Sequence, residues 1–216
     1  MLVGHYGPAF AARAVFRRIP LWVLFVAVQW MDVVWSILVL LGIEKVRIVP
    51  GFTEGSPLDL YYMPYTHSLP GSLVLAGILG AIVSAFYRTR RLVVFAVVAA
   101  AVFSHWLLDL IVHVPDLMLY DHVKVGFGLW RHVAFSLPLE LVLLAAGAWL
   151  YAKCVPARPG GNAWLGIFVA AMVALQVWVN FGPPPASPAA AAQTALLAYG
   201  LLALLAGLVD LSRIKA

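Results

Sequence analysis

The chain has almost no cysteine and little charge, and both shortages exclude whole classes of protein. Cys154 is the single cysteine, so an intrachain disulfide and a cysteine-built zinc or iron–sulfur site are excluded. Beside Lys153 it reads as an ordinary helix-end residue. Charged side chains make up 11% of the residues, against roughly 25% in an ordinary soluble domain. Acids are the scarcer sign, nine Asp and Glu against 14 Lys and Arg. The resulting +5 charge is not gathered into one basic domain, so no nucleic-acid partner is expected. No internal repeat is visible. The basic-first order of a cleavable signal is also missing, because Arg13, Arg17 and Arg18 follow the first apolar residues, and the N-terminus is expected to be retained.

What the chain does have is hydrophobic length. Hydrophobic residues are 64% of the total and the mean hydropathy is +0.97, the composition of a polytopic membrane protein. Six runs approach the roughly 20 apolar residues a spanning helix needs, at about 20–43, 68–87, 92–114, 132–152, 163–181 and 190–209. The expected fold is therefore all-α, with six transmembrane helices plus an N-terminal re-entrant or interfacial helix, in one membrane-embedded domain over 1–216. Residues 1–18 allow both versions of that first helix. As a re-entrant half-helix it would turn at Arg18-Ile19-Pro20 and bring His5 level with Asp32; as an interfacial helix it would leave His5 at the surface.

Basic residues set the orientation. Arg13, Arg17, Arg18, Arg88, Arg90, Arg91, Lys153, Arg158, Arg213 and Lys215 fall on one side, and only Lys45, Arg47, Lys124 and Arg131 on the other. By the positive-inside rule both termini are cytoplasmic. The outer loops, 44–67 and 115–131, carry Glu44, Glu54, Asp59, Asp116, Asp121 and the Tyr61-Tyr62-Met63-Pro64-Tyr65 run, and read as functional lids or ordered caps. Gly182-Pro183-Pro184-Pro185 reads as a stiff outer turn, and the Ala-rich start of the last run as close helix packing. Because the polar residues concentrate early, 1–120 is expected to form the metal-site half and 121–216 the scaffold half.

The chemistry centres on Ser104-His105-Trp106-Leu107-Leu108-Asp109-Leu110-Ile111-Val112-His113. A helix through this run sets His105, Asp109 and His113 along one stripe at i, i+4 and i+8. Ionisable groups in an apolar helix are costly unless they pair, face a wet cavity or bind an ion. Counting 1.5 Å per residue from the inner basic belt puts Asp32 and His105 at the same height, roughly 21 Å, with Asp109 one turn higher and His67 near the outer rim at roughly 31 Å. His5, Asp32, His67, His105 and Asp109, with His113 nearest the rim as a sixth, form a candidate metal site. Nitrogen with carboxylate ligation suits a divalent ion such as zinc, iron, nickel or manganese, zinc foremost. Such an ion makes hydrolysis the natural reaction class, with Asp109 or Asp32 as the catalytic carboxylate. The plainer alternative is that the histidines bond to neighbouring helices, through Ser104, Gln29 or Ser36. His122 and His132 read as solvated, Glu140 as a supporting or interhelical group, and Asp210 as paired with Arg213 or facing water. Trp22, Trp30, Trp35, Trp106, Trp130 and Trp149 read as packing and interfacial anchors.

Gly4-His5, Asp32, Thr66-His67-Ser68-Leu69 and Ser104-His105 followed by Asp109 resemble, in order and spacing, the bacterial membrane-bound metal-dependent hydrolase family, the YdjM-like inner-membrane proteins. The likeness covers about residues 1–120. It implies metal-site roles for His5, Asp32, His67, His105 and Asp109 and a place in the bacterial inner membrane. The chain departs from that pattern where Tyr62-Met63-Pro64 replaces His-Arg-Gly, and where Val34 and Trp35 replace a second Asp and a His. A two-metal centre would thus lack ligands unless His113 replaces one. The expectation is an integral-membrane metal-dependent hydrolase acting from the extracytoplasmic side, with membrane lipids as partners and a lipid or lipid-linked substrate. The alternatives are a proton- or metal-ion transporter using the same cluster and a non-catalytic scaffold. The apolar stretch from Leu92 to Phe103 argues for a one-sided pocket over a through-path. No oligomeric state follows from the sequence.

Overall fold

The computed structural model describes residues 1–120 and 122–214; Asp121 and Lys215 lie outside the described residues. The chain is mostly helical: a 3₁₀ turn at Val3–His5, then α1 (Tyr6–Val15), α2 (Leu21–Val28), α3 (Trp30–Leu40), α4 (Leu69–Ala85), α5 (Arg91–Val112), α6 (Val133–Cys154), α7 (Gly161–Phe181) and α8 (Pro188–Leu211). Four helices, α5 to α8, are long and apolar enough to cross a membrane, and α2 with α3 makes a fifth span if the bent pair counts as one.

The six expected spans are thus not all present as such. The run at 68–87 forms α4, whose 17 residues reach about 25 Å, short of the roughly 30 Å hydrocarbon core. Its start is fixed by Ser68, whose hydroxyl caps Gly71 N at 3.0 Å, with Pro70 in the first turn, where a missing N–H costs nothing. The run at 20–43 bends by 53° between α2 and α3. Neither Pro nor Gly sits at the bend. Instead the His105 side chain inserts there, its Nδ1 2.7 Å from Val28 O, the kind of intrusion into a helix ladder that kinks it.

The N-terminal segment enters the bundle, as in the re-entrant version. Val3, His5, Tyr6, Ala9 and Phe10 are wholly buried, and α1 packs on α6 and α2. Two glycines permit the approach: a Cβ on Gly147 would sit 2.3 Å from Gly7 O, and one on Gly7 2.4 Å from Leu143 O. Small residues of this kind let membrane helices meet at backbone distance. At the other end of α1, Asp210 accepts from Arg13 Nε at 3.0 Å, Tyr151 Oη at 2.8 Å and Leu21 N at 3.3 Å. The expected Asp210–Arg213 pair does not form. Arg213 is buried and turns to Asn162 Oδ1 at 2.8 Å, leaving Asp210 to tie α1, α2, α6 and α8 together.

The described residues of the two long loops are built on antiparallel pairs, β1 (Lys45–Ile48) with β2 (Leu58–Tyr62) and β3 (Leu117–Tyr120) with β4 (Val123–Val125). Trp35, Val46, Leu60, Met63 and Leu117 form a small core beneath them. The β1–β2 tip is tied down by Gly55 N to Trp130 O at 2.8 Å and Asn180 Nδ2 to Gly55 O at 3.1 Å.

Candidate metal centre

Asp109 is the hub. Projecting from the buried face of α5, its carboxylate lies 3.2 Å from His5 Nε2, 3.0 Å from His105 Nε2, 3.5 Å from His113 Nε2 and 3.7 Å from His67 Nε2. The Met1 amino group lies 2.8 Å from the same carboxylate. Asp32, in the first turn of α3, stands 3.3 Å from His67 Nε2 and 3.6 Å from His105 Nε2. The chain therefore brings together all six residues singled out from the sequence. Asp32 and His105 do meet at one depth. His67 does not sit at the rim, because α4 begins two residues after it and the preceding turn, with His67 N bonded to Met63 O at 3.2 Å, folds it down onto Asp32.

The imidazoles are oriented by partners on their far nitrogens. His105 Nδ1 faces the Val28 carbonyl, which only accepts, so Nδ1 carries a proton and, in the neutral ring, Nε2 presents a lone pair. Thr66 Oγ1 donates to Glu44 Oε2 at 2.6 Å and accepts from His67 Nδ1 at 2.8 Å; Glu44 is held by the backbone N–H groups of Tyr65 and Thr66 at 2.8 and 3.0 Å. His113 Nδ1 donates to Asp116 Oδ1 at 2.9 Å. In all three rings Nε2 is thus the nitrogen turned toward the carboxylates, as a lone pair in the neutral ring and as an N–H in the protonated one. Lone pair against anion is repulsive, and burial deepens the cost. Among the described residues, neither ring nitrogen of His5 nor Nε2 of His105 makes a hydrogen bond, although both Nε2 atoms lie within 3.2 Å of Asp109. His5 is stacked on His105 at 3.8 Å between ring centres.

For neutral rings that contact is relieved by a proton on Nε2 or by a metal ion between the groups. Two sets, His5–His105–Asp109 and Asp32–His67–His105, each bring their ligand atoms within 4.8 Å of one another, so these buried groups could hold a metal ion. Metal-ligating histidines characteristically donate their other N–H to a carbonyl or carboxylate, which is the arrangement of His105 and His113. His113 belongs to neither set.

Ser104, Gln29 and Ser36, the alternative partners for the histidines, are not used in that way. Ser104 Oγ donates to Ala101 O at 2.7 Å, Gln29 Nε2 donates to Leu2 O at 3.2 Å, and Ser36 Oγ has no partner among the described residues. Glu140 is buried beside the cluster and accepts from Leu2 N at 2.7 Å and Gly4 N at 3.3 Å, holding the segment that delivers His5. His122 and His132 are exposed on the caps.

The stretch expected to be scaffold also reaches the site. Tyr199 on α8 donates its hydroxyl to Asp32 Oδ2 at 2.8 Å, and Gln176 on α7 accepts from Val3 N at 3.2 Å. Both are polar residues in otherwise apolar helices, the signal that could have flagged them. The i, i+3 spacing of His113 and Asp116 was equally legible. The Glu44–Thr66 relay was not, because the two lie 22 positions apart.

Asp32, His67, Asp109 and His113, but not His5 or His105, line a cavity of about 770 Å³ walled also by residues of α3, α7, α8 and the β1–β2 tip. Below it α5 presents Val94, Val98 and Val102, all buried in the apolar core with Leu24 and Phe25. No family model, curated protein or solved structure matches the chain.

Proposed function

We propose that the protein is an integral-membrane metal-dependent hydrolase of the bacterial inner membrane, akin to the YdjM-like proteins, with zinc as its ion and both termini in the cytoplasm. The observation that carries this reading is the set of three imidazoles whose Nδ1 groups are each occupied by a protein acceptor while their Nε2 atoms converge on two carboxylates. The ligands of the ion would be drawn from His5, Asp32, His67, His105 and Asp109, and His105, common to both sets, would bind one ion at a time, which favours a single ion.

When bound, a divalent ion supplies Lewis acidity toward a water molecule and toward a carbonyl or phosphoryl oxygen. The protein's own part is to orient and exclude. Tyr199 holds Asp32 by one oxygen, leaving the other toward the histidines. Asp109 or Asp32, whichever is free of the ion, accepts a proton from the attacking water; the bond to the leaving alcohol or amine then breaks and that group takes the proton. A cavity walled mostly by apolar side chains favours a lipid or lipid-linked substrate reaching the site from the extracytoplasmic side. The transporter alternative would need a polar route past Val94, Val98 and Val102, and those buried valines support a one-sided pocket.

Elemental analysis of the purified chain tests the reading. About one transition-metal ion per chain is expected, falling in His105→Ala and Asp109→Ala, with hydrolysis of lipid esters, amides or phosphoesters lost in parallel. Metal-free protein, or unchanged metal content in both variants, would overturn it. Metal flux into proteoliposomes abolished by Asp32→Asn would instead establish transport.

A further inference from the structure

Away from the metal centre, at the end of the bundle where α5 begins, lies a second cavity of about 460 Å³. Its walls are the α1–α2 turn and the start of α5. Arg17, Arg18 and Arg90 line it among apolar residues, and no Asp or Glu does. None of the three pairs with a carboxylate among the described residues. Asp210, the one acidic side chain described at this end, is already taken by Arg13, Tyr151 and Leu21 N. Arg17 reaches the Cys154 carbonyl and Arg18 donates to Thr89 Oγ1 at 3.2 Å. Both acceptors are neutral. The second contact crosses from the α1–α2 turn to the residue before Arg90, so the Arg18 guanidinium lies between the two walls. The Arg90 side chain has no partner among the described residues. Cations gathered in this way repel one another and attract an anion.

Arg90 carries a second sign of use. Its backbone is left-handed, at φ 56° and ψ 30°, and it is the one non-glycine residue of positive φ among those described. Glycine takes that conformation freely, whereas a Cβ makes it costly. The fold asks for glycine there and the sequence supplies arginine. The same position starts α5 without a side-chain cap, and the helix dipole adds partial positive charge.

The level of the cavity selects among anions. Because α5 is long and apolar enough to cross a membrane, its start marks a membrane–water boundary. Apolar side chains stand exposed around the arginines, Val15 by 66%, Phe86 by 85% and Leu92 by 79%. A soluble phosphate would meet only the cations. A glycerophospholipid brings its phosphate to the arginines and lays its chains on these apolar faces.

We propose that the cavity between the α1–α2 turn and the start of α5 binds the phosphate headgroup of an anionic glycerophospholipid, held by Arg17, Arg18 and Arg90. The bound lipid fastens α1, whose start delivers His5, to the helix that carries His105 and Asp109. The site needs no metal and is independent of the hydrolase reading.

Native mass spectrometry of the purified full chain in a non-ionic detergent tests this, with dioleoylphosphatidylglycerol, dioleoylphosphatidylcholine and inorganic phosphate titrated in separate arms. Phosphatidylglycerol is expected to bind at least about tenfold more tightly than phosphatidylcholine, and inorganic phosphate at equal concentration to leave it in place. Arg90→Gly removes the guanidinium and suits the left-handed backbone, so the melting temperature without lipid is expected to hold while the preference for phosphatidylglycerol falls about fivefold. Arg18→Gln is expected to lower the preference similarly. Arg158→Gln removes a charge from the same end outside the cavity and is expected to leave the preference unchanged. Equal affinity for the two lipids, displacement of phosphatidylglycerol by inorganic phosphate, or the same loss in Arg158→Gln as in Arg90→Gly would overturn the proposal.

Discussion

Thr66 shows how much of the centre depends on groups that touch no ion. Its hydroxyl relays Glu44 to His67 Nδ1, fixing which nitrogen of that ring carries the proton. In Thr66→Val, a change of nearly constant shape, the imidazole loses that constraint, and metal affinity is expected to fall by about 10–100-fold. Competition against a chromophoric chelator measures it, and wild-type affinity would show the relay to be idle. The direct ligand candidates were legible in the sequence because ionisable residues stand out in apolar helices and helical spacing aligns His105 with Asp109. The groups that orient them were hidden for a physical reason. Val28 contributes a main-chain carbonyl, which any residue type has, and Glu44 reaches Thr66 only because the β1–β2 cap folds over the helices.

The element that decides whether His5 joins the cluster is α1. It lies against α6 because Gly7 and Gly147 have no side chains, and because Glu140 takes up the N–H groups of Leu2 and Gly4. Gly147→Ala would place a methyl group 2.3 Å from Gly7 O. Overpacking of this kind costs about 1–3 kcal/mol, so the melting temperature and metal content are expected to fall together. Gly166→Ala, where a Cβ meets nothing within 4 Å, serves as the control and should leave both unchanged. The sequence allowed α1 to be either re-entrant or interfacial, since hydropathy does not say which of two apolar surfaces a short helix will choose. It also made six spans of runs that fold differently. The bend at Gln29 and the shortness of α4 arise where His105 and His67 are drawn into the site, so tertiary contacts override the periodicity there.

At the scale of the whole molecule, an ion in the cluster would be linked to stability. An ion held by residues from the N-terminal segment, α3, α5 and the turn before α4 binds the native state alone, and saturation at about 1,000 times the dissociation constant adds roughly 4 kcal/mol. Chelation is therefore expected to lower the melting temperature in detergent, with recovery on adding zinc. Acid should do the same. Protons compete with an ion for the Nε2 atoms, so occupancy is expected to be lower in acid; dialysis at about pH 5 and about pH 8 followed by elemental analysis checks it. A melting temperature indifferent to chelator would mean that the cluster is held together by its own hydrogen bonds. The docking of the N-terminal segment also orders events in time. Leu2 and Glu140 are 138 positions apart, so the segment that carries His5 has no seat until α6 has been made. His5 must wait while five helices are laid down. Until α6 is in place nothing holds that imidazole against Asp109, and until α8 is in place Asp32 lacks its Tyr199 partner, so completion of the cluster is a late step of biogenesis.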